Sequence, residues 1–181
     1  MAVRRNSIAV RRPLSIFALI GFFSSLFVHL TTFFGIDPSK HVPWVWVLHV
    51  GIFVAFIPMV LVQGWAPKND FRNKMFASIP RWAGYALKFF CAYAAINFIL
   101  FLMLSRGGGV PEVHDGKHVL QGKGWVQELS EKEYEWQKAY AVRGFSGHWM
   151  IFYLLPALVL WYRPESDLQI PRDSGHPRRS V

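Results

Sequence analysis

Residues 143–162 read RGFSGHWMIFYLLPALVLWY, and from Gly144 to Tyr162 they hold no acidic residue, lysine or arginine. The run from Phe145 to Tyr162 is close to the roughly 20 residues a helix needs to cross a bilayer core. Working outward from it, three further apolar runs appear: Leu14 to Phe34, Trp44 to about Val62, and Trp82 to Leu104. With 52% hydrophobic and 17% aromatic residues in 181, the chain is too apolar for an ordinary soluble domain. The expected fold is therefore an all-α membrane protein, a four-helix transmembrane bundle with a small extracytoplasmic β-hairpin and helix cap.

The chain divides at its polar stretches. A basic cytoplasmic N-terminus (1–13) leads into the first span (14–34), an outer turn (35–43) and the second span (44–63). A basic cytoplasmic interfacial loop (64–81) precedes the third span (82–104). The segment 105–144 forms an extracytoplasmic hairpin and helix, 145–162 the fourth span, and 163–181 a polar cytoplasmic tail expected to be disordered. The first run lacks a small-residue cleavage site, which predicts an uncleaved anchor. Asp37-Pro38 breaks the chain in the outer turn, Pro58 predicts a kink in the second span, and Trp44, Trp46, Trp65 and Trp161 sit where interfacial aromatic belts belong. Lys88 lies near enough to its span's basic end to snorkel, and Asn97 is placed to bond a neighbouring helix.

In the cap, Asp115-Gly116 is a tight hairpin signal and Gly122-Lys123-Gly124 a second turn, so three strands in a meander are expected. Ser130 and Glu133 have capping-box spacing and should start a helix, which Gly144 and Gly147 would loosen at the membrane boundary.

Charge sets the orientation. One side carries Arg4, Arg5, Arg11, Arg12, Lys68, Arg72, Lys74, Arg81, Arg163, Arg172, Arg178 and Arg179 against Asp70, Glu165, Asp167 and Asp173, a net +8. The other carries seven basic and seven acidic residues. The positive-inside rule then places both termini in the cytoplasm, and the expected location is a bacterial inner membrane. The formal net charge of +9 reads as topology rather than nucleic-acid binding, because apolar runs separate the basic clusters. Cys91 is the one cysteine, which excludes a disulfide or a Cys-x-x-Cys site within the chain. Cys91, Met103 and Met150 read as packing residues.

Three histidines share a depth. His29, His49 and His148 each lie three to five residues inside the outer end of a span, roughly 4 to 8 Å at the helical rise. Neutral imidazoles from neighbouring helices are what one b-type haem, or a zinc or copper ion, requires. The competing reading is that they face water or headgroups, since none has a local ligand spacing. His114 and His118 cannot chelate together across a two-residue turn, although a three-residue loop would pair them. Arg143, Gly144, Ser146, Gly147 and Trp149 are the candidate interface residues, the small ones permitting close approach. No nucleophile, base and orienter set and no paired intramembrane carboxylates are visible, so hydrolase or proton-pump chemistry has no support, and the balance leans away from an enzyme.

The motif from Arg143 to Met150, with the glycine-rich hairpin and Glu-x-x-Tyr helix before it, resembles a signature of small uncharacterised bacterial membrane proteins of no assigned activity. The plan also resembles four-span b-type cytochromes. That second resemblance implies one outer-side haem, with His148 and either His29 or His49 as axial ligands. Two function classes follow: a non-catalytic subunit or accessory component that contacts the bilayer and other membrane proteins or its own copies, or a redox or metal protein using the histidine level.

Overall fold

A computed structural model describes residues 2–63 and 76–162, with side chains from Val10 onward. Most of the basic loop and all of the tail lie outside the described residues. Helix α1 (Ala2–Thr31) ends in a 3-10 turn, Thr32–Phe34, followed by the four-residue α2 (Pro38–His41) and by α3 (Val47–Gln63). Helix α4 (Arg81–Leu104) leads to strands β1 (Val110–His114), β2 (Lys117–Gly122) and β3 (Trp125–Glu128), and α5 (Glu131–Tyr162) completes the order.

Three helices are long and apolar enough to cross a membrane: α1 through Val10–Phe34, α4 and α5. The expected second span is shorter than the sequence suggests. Trp44–Trp46 form a turn, with Val47 N–H donating to Trp44 O, so α3 begins three residues late. Its 17 residues rise about 25 Å, short of a core of about 30 Å.

The helices are organised around α5, which packs against α1, α3 and α4. In its most apolar stretch 67% of residues are buried, against 33% for α1 and 17% for α4. Inward-facing positions repeat every 3.5 residues, the spacing that keeps one helix face against a partner along its length. On α5 they are Val142, Ser146, Trp149, Tyr153, Pro156 and Leu160; on α4, Ala83, Leu87, Phe90, Ala94, Asn97 and Phe101. On α1 the row is Arg11, Ser15, Ala18, Phe22, Ser25 and His29, four of them polar. The opposite stripe of α4, including Tyr85, Phe89, Ile96, Ile99 and Met103, is exposed and apolar. Met103 and Cys91 therefore face outward, and of the three sulfur residues read as packing only Met150 fills the core.

Helix α5 is unbroken from Glu131 to Tyr162 and continues through Gly144 and Gly147, where a loosened boundary was expected. Both glycines are covered by α4 side chains, and that packing offsets their low helix propensity. Tyr153 is the centre of the terminal half. Its ring lies where a Cβ on Gly21 or Gly51 would be, and its hydroxyl donates to Leu48 O at 2.7 Å, tying α5 to α1 and α3 together.

The cap matches the sequence pattern. The strands form an antiparallel sheet in the order β1-β2-β3, and His114 pairs with Lys117 across a two-residue turn, Asp115 and Gly116 both having positive φ. The Ser130 N–H and Oγ–H both donate to Glu133 Oε2, and the Glu133 N–H donates back to Ser130 Oγ. His118 stacks on Tyr134 of α5 at 4.3 Å between centroids. The outer turn is held to the same helix by ion pairs Lys40–Glu135 and Lys138–Asp37 and by Trp136 against Gly35.

Gly21→Val should destabilise the protein by about 1–3 kcal/mol, the cost of overpacking, because Tyr153 is pinned and cannot move aside. Gly84→Ala meets nothing within 4 Å and should be neutral or stabilising, by up to ~1 kcal/mol. Thermal unfolding in detergent separates the two; equal melting points would contradict the packing described. In the cap, the two hydrogen bonds from Ser130 hold the Glu133 carboxyl below its ordinary value. A depressed carboxylate stabilises the fold above its unfolded pKa and ceases to as pH falls through the folded one. A carbon-detected NMR titration should therefore place the Glu133 midpoint below that of an unperturbed glutamate, and Ser130→Ala should return it upward.

Candidate functional site

The polar side chains buried between helices form a seam along α5. Near the C-terminal end of α5, Arg11 Nη2 donates to Leu160 O at 3.0 Å and Ser15 Oγ donates to Ala157 O at 2.7 Å. Leu160 belongs to the last turn of α5, where carbonyls have no intrahelical partner, so Arg11 serves as a cap from another helix.

Toward the cap, His29 is 1% exposed and both of its ring nitrogens are engaged. Nδ1 is 2.8 Å from Ser146 Oγ on α5, and Nε2 is 2.5 Å from the Tyr93 hydroxyl on α4. One proton arrangement satisfies every group. Tyr93 O–H donates to Nε2, Nδ1–H donates to Ser146 Oγ, and Ser146 O–H donates to Arg143 O at 3.2 Å. A neutral imidazole thus joins three helices. Asn97 Nδ2 donates to the same Arg143 carbonyl at 2.9 Å, as a polar amide in a span is expected to do.

The other two histidines lie elsewhere around α5. His49 Nδ1 accepts from Trp149 Nε1 at 2.9 Å, with Phe53 and Phe145 edge-on to its ring. His148 Nδ1 donates to Gly144 O at 3.0 Å within its own helix and packs edge-on against Phe98 of α4. Each of the three has its own partner. Only His148 keeps an unprotonated ring nitrogen, Nε2, without a bond among the described residues. Joining His29 to either of the others would require Ser146 or Tyr93 to release it. Among the described residues, no three of His, Cys, Asp and Glu stand close enough to hold a metal ion. His114 is exposed beside Asp115, and His118 lies against α5.

The candidate interface residues meet helices of this same chain. A Cβ on Gly144 would sit 2.6 Å from Phe101 Cγ, and one on Gly147 would sit 2.6 Å from Asn97 Nδ2. Ser146 and Trp149 are fully buried, the latter edge-on to Trp46 at 5.5 Å. Arg143 is the member whose side chain reaches the surface, over the rings of Phe33 and Tyr140.

No family model, curated protein or solved structure matches this chain.

Two features of the seam have a weak signal in sequence, a polar pair on α4 and an arginine on α1. Tyr93 and Asn97 are four residues apart, hence on one face of an apolar helix, and such a polar pair marks the face turned to protein. Arg11 is the other: it falls on the same 3.5-residue row as Ser15, Ser25 and His29.

Ser146→Ala leaves His29 with one buried nitrogen unpaired and should cost about 1–3 kcal/mol. Ser25→Ala is the contrast. The Ser25 hydroxyl is buried with no hydrogen-bond partner among the described residues, so its loss should be neutral or stabilising. Melting of both variants checks this, and a destabilised Ser25→Ala beside an unaffected Ser146→Ala would reverse the assignment.

Proposed function

We propose that this protein is a non-catalytic membrane component, a subunit or accessory factor of a membrane assembly. In this reading α1, α3, α4 and α5 all cross the bilayer, both termini are cytoplasmic, and the cap lies on the outer face of a bacterial inner membrane. The charge asymmetry supports the orientation, and α3 crosses with the help of the Trp44–Trp46 turn at its interfacial end.

The observation that carries the functional reading is the use made of the span histidines. His29 fastens α1 to α4 and α5, and His49 fastens α3 to α5 through Trp149. These are structural roles, and they account for polar rings in apolar runs without a ligand. The sheet's outward face and the exposed apolar stripe of α4 are the surfaces available to other proteins. The second reading, one haem or a metal ion at the histidine level, rests on the free Nε2 of His148 alone.

An ultraviolet-visible spectrum of the detergent-purified protein, before and after dithionite and with metal analysis, tests the choice. The expected result is a colourless, metal-free, folded protein that migrates in mild detergent above its monomer mass. A reducible Soret band or stoichiometric metal, lost in His148→Ala, would replace this proposal with the redox or metal reading.

A further inference from the structure

Arg143 is a cation held in place by rings. Its guanidinium carbon is 5.1 Å from the centroid of Phe33 and 4.7 Å from that of Tyr140, two contacts of cation–π type from different segments. The side chain is half-buried, yet its guanidinium has no hydrogen bond or ion pair among the described residues. Asp37 of the adjoining turn and Glu135 of the helix are already engaged, Asp37 with Ser39 and Lys138 and Glu135 with Lys40. Five donors in a fixed planar fork, partly withdrawn from water, are an arrangement that an anion completes.

The level at which this happens names the anion. Phe33 is the penultimate residue of the first candidate span, and Arg143 immediately precedes the charge-free run of the last. Trp46 and Phe145, in edge contact at 5.2 Å, mark the same boundary with an aromatic belt. At that depth a protein meets phosphate groups of lipid headgroups, whose oxygens match the guanidinium fork in pairs.

We infer that Arg143, steadied by Phe33 and Tyr140, is a binding site for a phosphate anion, supplied by a phospholipid headgroup or by a soluble phosphate. The site goes beyond the proposed function and is independent of it, since either reading leaves this guanidinium open.

The test uses the full-length protein in mild detergent, with Arg143→Gln, Arg143→Lys, Phe33→Leu and, as a charge control on the hairpin tip, Lys123→Gln. One arm measures retention of added phosphatidylglycerol by native mass spectrometry. The other measures binding of inorganic phosphate by calorimetry. The wild type and Lys123→Gln should bind alike. Arg143→Gln should weaken binding about ten-fold or more, the loss of a charge-assisted pair, with smaller losses in Arg143→Lys, which keeps charge without the fork, and in Phe33→Leu. Arginine-dependent binding in the lipid arm assigns the site to headgroups, and in the phosphate arm to a soluble anion; either supports it. Affinities unchanged by Arg143→Gln in both arms overturn it. If Arg143→Gln does not fold, unchanged affinities in Arg143→Lys and Phe33→Leu overturn it equally.

Discussion

In hydrocarbon, a polar side chain cannot fall back on water, so it must find its partner inside the protein or face the bilayer at a cost of several kcal/mol. The packing of this chain follows from that constraint acting on α1. Its inward row carries Arg11, Ser15, Ser25 and His29, and all but Ser25 have hydrogen bonds to α5: to the carbonyls of Leu160 and Ala157 and the hydroxyl of Ser146. Rotating α1 by even one residue would strand those groups. The register of the two helices is thereby fixed along their whole shared length.

The other elements inherit their positions from that pair. With α5 held, Tyr153 presents its hydroxyl to Leu48 and its ring to Gly21 and Gly51, which sets where α3 lies. Phe101 and Asn97 settle over Gly144 and Gly147, which sets α4. Glycine serves opposite purposes in these places. At Asp115-Gly116 it supplies a positive φ for a turn, whereas along α5 it removes a side chain so that a ring or an amide reaches the helix backbone. The cap is tied to the same helix through His118 on Tyr134 and through the ion pairs to the outer turn. One element therefore organises both halves of the molecule.

Local chemistry was the readable part of the sequence. The Asp115-Gly116 turn, the Ser130–Glu133 box and the apolar lengths of α1, α4 and α5 each depend on a few neighbouring residues, and each is present as expected. What depends on two distant residues was not readable. Nothing within Phe17-Ala18-Leu19 announces a tyrosine more than a hundred positions away. His29, His49 and His148 stand out as polar rings in apolar runs, and their shared depth points to convergence. Depth is only one of the two coordinates of a helical residue. The other, the angle around the axis, separates them: Ser146 turns toward α1, His148 toward Phe98 of α4, and Trp149 toward His49 of α3.

That angular coordinate was in fact written in the spacing. Taken alone, His29 is a ligand candidate; taken with its row, it is one step in a series of inward positions four and three apart, of which Arg11, Ser15, Ser25, His29 and Thr32 are polar and Ala18 and Phe22 apolar. A ligand set needs only two or three such residues at one depth. A row that runs along most of a helix, with three of its five polar members bonded to the neighbouring helix, is what a packing seam requires. The length of the row therefore argues for structure at His29. The same reasoning singles out Arg143, which lies off the seam at its upper end and whose charge the fold leaves uncompensated among the described residues.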